Sequence, residues 1–378
     1  MLNVPEVSII MPVYNGARYI EQTLEYLKQQ TFENFEVIII DDHSIDDTAN
    51  AVSRFCEKDT RFNLHFNIKK GVASARNVGL EKAKGKYIIH YDSDDIIPSD
   101  AIMNMYDAII DNADIVIGDY IVKTGDVENL ELQNYNTASD RIIEGLITNK
   151  IHGGLWNKLI RKEFYEDLKF DESVNYMEDK LILVQILLRK PRVIVLNKVV
   201  YKYIQHAGSI TSSLSENSLQ SIKKVILQLE KEFENKNTSF DLSFLKIYYK
   251  LLAYLNRKSI DNKKDFKEVN SRIPFCKELS IHHRILLFLK VYSHMCSQRD
   301  DLKWKLMFKR EEEHESLKNL LPDHVVEKKN PFSGEKFKPA AEICISNEEL
   351  NINHQDNGKM SSGHVRDLHG NSNHHRPG

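Results

Sequence analysis

The chain is poor in residues that form cross-links. Its four cysteines, Cys56, Cys276, Cys296 and Cys344, are scattered over 378 residues with no CxxC or CxxH pair. That spacing argues against a disulfide scaffold or a thiolate zinc site and implies reduced thiols in a cytoplasmic protein. Long apolar runs are also missing. The longest, Ile285 to Tyr292, is interrupted by Lys290 and falls far short of the roughly 20 residues a spanning helix needs. The first residues lead into a strand-like segment without a basic stretch followed by an apolar one, so no secretory signal is expected. Charge of one sign is scarce as well. A formal net charge of −3 creates no field that would draw the whole chain onto nucleic acid, which is not an expected partner.

What is present is a strict alternation of two hydrophobic periods over the first 118 residues. Val7-Ser-Ile-Ile-Met11 is a nearly continuous apolar run stopped by Pro12, as expected of a strand buried on both faces. Residues 17–30 carry Ile20, Leu24 and Leu27 at helical spacing, and Phe35 to Ile40 reads as a second buried strand ending at Asp41-Asp42. Residues 46–58 predict a helix with Asp46 as its cap, and Phe62 to Phe66 a third strand. Gly71 opens a further helix that Gly85 should close, and Tyr87 to Tyr91 is a fourth strand. Ser99 should cap the next helix, and Asp114 to Gly118 is a fifth strand. The expectation is an α/β fold with a mostly parallel, doubly wound, Rossmann-like sheet.

Residues 119–150 lose this regularity, and Val193 to Leu196 and Val199 to Ile204 are two later strand candidates. From Ser218 to about Leu320 the pattern is helical, and after Pro331 the composition turns polar and predicts a disordered tail. The expected organisation is a domain over residues 1–215, split near residue 118, then a helical region over 216–325 and a disordered tail over 326–378. Five histidines after residue 350 lack helical ligand spacing and are given no metal role.

Open parallel sheets bind ligands at the carboxyl ends of their strands. Here those ends carry Asp41, Asp42, Asp92, Asp94 and Asp95, which should converge on one sheet edge. Such carboxylates repel one another. A divalent cation, Mg²⁺ or Mn²⁺, would relieve that repulsion and complete its shell with water and substrate phosphate oxygens.

The ordered set of motifs resembles the inverting glycosyltransferase family two, which has the GT-A fold. The resemblance rests on Val7-Ser-Ile-Ile-Met-Pro-Val-Tyr-Asn15, Gln30-Thr31-Phe32, Glu36-Val-Ile-Ile-Ile-Asp-Asp-His-Ser44 and Gly71-Val-Ala-Ser-Ala-Arg-Asn-Val-Gly79. It continues through Asp92-Ser-Asp-Asp95, Leu155-Trp-Asn-Lys-Leu159 and Met177-Glu-Asp179, and covers roughly residues 5 to 215. It implies a metal-dependent hexosyl- or N-acetylhexosaminyl-transferase of cell-surface polysaccharide synthesis. The donor would be a UDP-sugar and the acceptor a glycan or a lipid-linked sugar. Pro12, Tyr14, Asp41, Asp42, Arg76, Asn77, Asp92, Ser93 and His206 would bind the donor. Asp94 would ligate the metal with help from Asp92. Asp179 would be the general base, with Glu178 beside it, and Trp156 would either meet the acceptor or pack in the core as a large aromatic. Local sequence alone leaves Asp179 open to a second role, as a cap of the apolar helix that follows it.

Two other readings of the scaffold are a nucleotidyltransferase and a non-catalytic nucleotide-sugar-binding module. The first would carry a richer Gly- and Arg/Lys-containing loop than Val13-Tyr-Asn-Gly-Ala-Arg18, and the second would be expected to lose its metal or base residue. Residues 281–310 hold seven Lys or Arg against two Asp, interleaved with Ile285, Leu287, Trp304 and Phe308. This basic amphipathic stretch could rest on an anionic membrane, giving a peripheral location on the inner face of the cell membrane, or pack its apolar side on the core.

Overall fold

The structure, a computed structural model, describes residues 4–205, 215–255 and 264–292. Strands β1 (Val7–Val13), β2 (Phe35–Asp41), β3 (Phe62–Phe66) and β4 (Tyr87–His90) pair in parallel in the order β3-β2-β1-β4. Helices α1 (Ile20–Lys28), α2 (Thr48–Cys56) and α3 (Val72–Lys82) connect them. Strand order reverses between β1 and β4, which makes their carboxyl ends the crevice of the sheet. After α4 (Ala101–Asp107) comes the long β5 (Ile115–Thr124), which forms a hairpin with β6 (Val127–Glu131). Helix α5 (Ser139–Ile147) precedes β7 (Lys158–Arg161), which lies antiparallel between β4 and β5. Helix α6 (Glu178–Leu187) leads to β8 (Val193–Gln205), parallel to β5.

Alternate residues of each central strand serve opposite cores, as the two-residue repeat of a strand requires. Ile10, Ile38, Ile40 and Ile88 face α3, α5 and α6, whereas Ile9, Met11, Val37, Ile39 and Ile89 face α1, α2 and α4. Helix α6 is apolar almost all round. Leu181, Ile182, Leu183, Val184, Ile186 and Leu187 are all buried, each contributing about 1.5–3 kcal/mol by leaving water. That burial fixes the N-terminus of α6, where Glu178 and Asp179 sit.

Several local expectations change. Pro12 does not stop β1 but pairs with Ile40 inside it. Its missing N–H lies past the end of β4, whose register with β1 closes at Ile10–His90. Gly85 does not cap α3, which ends at Lys82 with Ala83 already extended. A Cβ at Gly85 would stand 2.5 Å from the Ser8 amide, so it is this close approach to β1 that requires glycine. Neither Ser99 nor Asp46 is an N-cap. Asp100 and Asp47 hold those positions, and Asp46 instead joins Ala17 N and Thr48 N at 3.1 Å each. The two late strand candidates are one strand, and residues 119–150 contain the β5–β6 hairpin and α5.

Helices α7 (Glu216–Asn235) and α8 (Ser243–Leu255) extend the core that α6 belongs to, through Leu219, Ile222, Leu229 and Leu245. Helix α9 (Ile281–Tyr292) buries Leu287, Phe288 and Val291 in a small core with Phe244, Leu251 and Ile273. Arg284 is buried there and donates to Pro274 O at 3.0 Å. In α9, therefore, Leu287, Phe288 and Val291 are covered by the chain itself; residues 293–310, like the tail, lie outside the described residues. Among the described residues no helix is long and apolar enough to cross a membrane.

Candidate active site

The turn after β4 is pinned from beneath by Asp95. This side chain is buried, and its carboxylate accepts from Tyr201 Oη and from Ile204 N, both at 2.7 Å. Its main-chain oxygen accepts from Tyr91 Oη at 2.8 Å, and Thr23 Oγ1 donates to Ser93 O at 2.8 Å. Burial, aided by the Asp92 charge, pushes the Asp95 carboxyl up to about 8. Asp95 thus anchors the turn to β8. Asp92, Ser93 and Asp94 remain half-buried at the mouth of the crevice.

At the centre of the site stands Arg76. Expected as a donor contact on α3, it is only 4% exposed. Its guanidinium reaches Glu178 Oε1 at 2.6 Å, Asp179 Oδ1 at 2.8 Å and Asp92 Oδ1 at 3.3 Å. One buried cation therefore joins the turn after β4 to the start of α6. Burial disfavours the Arg76 charge, but Asp179, Glu178 and Asp92 more than restore it and hold its pKa above the ordinary value. Burial lifts the Asp92 carboxyl, with Arg76 opposing and Asp94 and Glu178 adding to the rise. Asp179 is raised to about 7, again by burial first, with Arg76 pulling down and Glu178 and Asp92 pushing up.

Asp179 is not the cap of its helix. The N-cap position of α6 belongs to Met177, in the left-handed region at φ 67°, and Asp179 is the second helical residue with no capping bond. A non-glycine residue in that conformation stores strain of about 1–3 kcal/mol, which the packing around it must sustain.

The five strand-end carboxylates do not act as one cluster of equals, because three of them are committed to protein partners. Asp41 accepts from Ser44 N at 2.7 Å through Oδ1, while its buried Oδ2 has no hydrogen-bond partner. Asp42 accepts from Gly71 N at 2.9 and 3.0 Å and from Asn67 Nδ2 at 2.7 Å, fastening the loop that opens α3. Asp95 turns to β8. The carboxylates that gather on Arg76 are Asp92, Glu178 and Asp179, and Arg76 supplies part of the compensation that sequence reasoning assigned to a cation alone. Among the described residues no three His, Cys, Asp or Glu side chains gather as a metal site.

The other expected donor contacts divide. The Tyr14 ring is 48% exposed at the end of β1, with Lys70 Nζ 3.1 Å from its hydroxyl and 4.2 Å from its ring centre. Asn77 is buried and spends its amide on Phe170, donating to O at 2.9 Å and accepting from N at 2.8 Å. This clamp holds the segment before α6 against α3. Pro12 lies within β1, its side chain half-buried. His206 lies outside the described residues.

Trp156 is 4% exposed, stacked on Tyr201 at 4.4 Å and on Tyr203 at 5.9 Å, with Tyr120 edge-on at 4.7 Å. Its indole is core packing and is not presented to an acceptor. Sequence reasoning passed over Lys158, which is fully buried and donates to Gly154 O at 2.5 Å and Asn157 Oδ1 at 2.7 Å. Burial brings its ammonium down to about 7, with the Asp179 charge opposing. The available signal was a lysine inside the apolar run Leu155 to Ile160.

The sequence matches the family described as Glycosyl transferase family 2 over residues 8–169. It is 30% identical over 220 residues to Glycosyltransferase GlyG of Streptococcus pneumoniae serotype 4, a match covering 54% of this chain and 72% of that relative. It is 27% identical over 263 residues to the Cholesterol galactosyltransferase of Borreliella burgdorferi, covering 65% of this chain and 74% of the relative. Among solved structures, S. aureus TarS 1–349 in complex with UDP-GlcNAc superposes with a TM-score of 0.53 at 19% identity, over 76% of this chain and 89% of that one. That likeness establishes the GT-A arrangement of the sheet.

Proposed function

This chain belongs to glycosyltransferase family 2, and from that premise we propose that it moves a sugar from a UDP-sugar, with inversion, to a hydroxyl of a glycan or lipid-linked acceptor. The observation that carries the reading is the buried Arg76, which ties the Asp92 turn to Glu178 and Asp179. It sets a donor-side carboxylate and an acceptor-side carboxylate in one rigid unit. Asp179 takes the proton of the acceptor hydroxyl as that oxygen attacks the anomeric carbon, and the nucleoside diphosphate departs from the opposite face. A carboxyl raised to about 7 suits this task, because a base works best with a pKa near the operating pH. Glu178 shares Arg76 with Asp179 and orients it.

Asp92 and Asp94 fit a divalent cation. They are two half-buried carboxylates, and the Asp94 charge adds to the rise that burial gives Asp92 against the pull of Arg76. They would hold Mn²⁺ or Mg²⁺, which when bound supplies Lewis-acid stabilisation of the departing diphosphate. Tyr14, open at the end of β1, lines the base, and the backbone of the pinned turn borders the ribose. The UDP-GlcNAc bound by TarS supports a UDP-sugar donor. Incubation with UDP-glucose, UDP-galactose, UDP-N-acetylglucosamine, UDP-N-acetylgalactosamine and GDP-mannose, with and without Mn²⁺, tests the reading by release of free nucleotide. Release from a UDP-sugar that depends on Mn²⁺ supports it; preference for GDP-mannose, or metal-independent release, overturns the donor or metal assignment.

A further inference from the structure

Beneath the carboxylates lies a second polar group that the mechanism above does not use. His90, the last residue of β4, and Tyr165, from the turn after β7, are 2% and 5% exposed, and neither ring nitrogen of His90 nor the hydroxyl of Tyr165 has a hydrogen-bond partner. Their rings lie 5.7 Å apart, and His90 is 5.3 Å from the Phe170 ring, over which the Arg76 guanidinium sits at 5.7 Å. Two more unsatisfied atoms belong to the same neighbourhood. Arg76 Nε makes no hydrogen bond, and Asp179 Oδ1 has only the ionic approach of Arg76 Nη1. Tyr165 is raised by burial and then by the Asp179 charge, with Arg76 opposing, and His90 is lowered by burial and then by the Arg76 charge, so Arg76 acts on both rings and Asp179 on Tyr165.

Orphaned polar atoms in a core are costly, and phenylalanine would fill either ring position without that cost. The four groups also balance chemically. A neutral imidazole gives one N–H and one lone pair, a phenol gives both, Arg76 Nε–H only donates and a carboxylate oxygen only accepts. Water, with two donors and two acceptors, can connect such a set with nothing left over, and buried waters take two to four such partners.

We propose that His90 and Tyr165 hold ordered internal water that closes a hydrogen-bonded chain onto Arg76 Nε and Asp179 Oδ1, making both of them positioning residues for the base. The proposal rests on Asp179 being that base. Its immediate consequence is that two core residues, without touching substrate, set the orientation of the Asp179 carboxylate.

The test measures hydrolysis of the UDP-sugar turned over fastest in the panel above, in the full chain with Mn²⁺. Tyr165→Phe and His90→Phe are expected to lower kcat about tenfold, since small misplacement of a catalytic group is expensive. Donor KM should hold, and thermal stability should not fall. His90→Gln, which keeps a donor and an acceptor, should retain most of the turnover. Wild-type kcat in both Phe variants, with raised melting temperatures, overturns the proposal, because the polar atoms would then be only a burden to the core. Should the variants not fold, a high-resolution crystal structure of the unaltered protein decides: water bonded to His90 and Tyr165 supports the proposal, and a dry core refutes it. Failure of the underlying reading looks different. Full turnover in Asp179→Asn removes the base assignment itself, whereas an inert Asp179→Asn beside fully active Phe variants removes only the water-held positioning.

Discussion

Replacing Arg76 with methionine keeps the length of the side chain and removes the charge that holds the site together. At 2.6, 2.8 and 3.3 Å, each contact is worth about 5–6 kcal/mol of gross attraction at an effective dielectric of about 20. Desolvation cancels most of that, and breaking one partner of a buried ion pair costs about 3–5 kcal/mol net. In a chain of this size that corresponds to a fall in melting temperature on the order of 10 °C. Asp179 and Asp92 lose the one neighbour that lowers each of them most, so both carboxyls climb further and the base is protonated at neutral pH. Thermal unfolding should be followed in EDTA at pH 7.5, because a bound cation could mask the missing charge. Adding Asp179→Asn to Arg76→Met removes one uncompensated carboxylate and should recover stability, with a coupling of about 1–3 kcal/mol. Wild-type unfolding in Arg76→Met, or strictly additive behaviour in the double variant, would refute the idea that Arg76 compensates this cluster.

Other consequences are as direct. Asp94→Ala should abolish donor turnover and Mn²⁺-dependent UDP binding by calorimetry while leaving the melting temperature in EDTA unchanged; binding of wild-type affinity would sink the metal assignment. Asn77→Ala breaks a two-bond clamp on Phe170 and should cost about 1–3 kcal/mol of stability, with UDP affinity intact. The opposite pattern, lost affinity at full stability, would return Asn77 to the donor site. Because Asp179 must be ionised to act and its carboxyl is raised to about 7, kcat/KM for donor hydrolysis should fall as pH drops through about 7. An acidic limb near the ordinary carboxylate range would show that the residue responsible is not held as Asp179 is.

Much of this arrangement was legible in the residues. Continuous β-branched runs announced β1 and β2, because a strand covered on both faces has no polar side to alternate with. The acidic turn after β4 and the Glu178-Asp179 pair also stood out, since charged residues abruptly following apolar runs mark strand and helix ends. What the pattern could not carry was pairing across distance. Arg76 and Glu178 lie 102 residues apart, and Asn77 and Phe170 lie 93 apart; nothing local to α3 distinguishes a buried hub or a clamp from a solvated helix face. The β5–β6 hairpin was missed because β6 is an exposed strand whose glutamates and asparagine hide the two-residue period. The place of Trp156 stayed open for a related reason. A sugar platform and a core indole look alike in sequence, and the tyrosines that cover it come from β8.

The central claim is that Asp179 performs the proton transfer while the Asp92–Asp94 turn serves the donor. Asp179→Asn tests it in one variant, with UDP binding measured by calorimetry and sugar transfer or donor hydrolysis measured in parallel. The account predicts UDP affinity close to wild type and turnover reduced by about 100-fold or more, the scale of a general base. Transfer at the wild-type rate, or loss of UDP binding in step with activity, would contradict it.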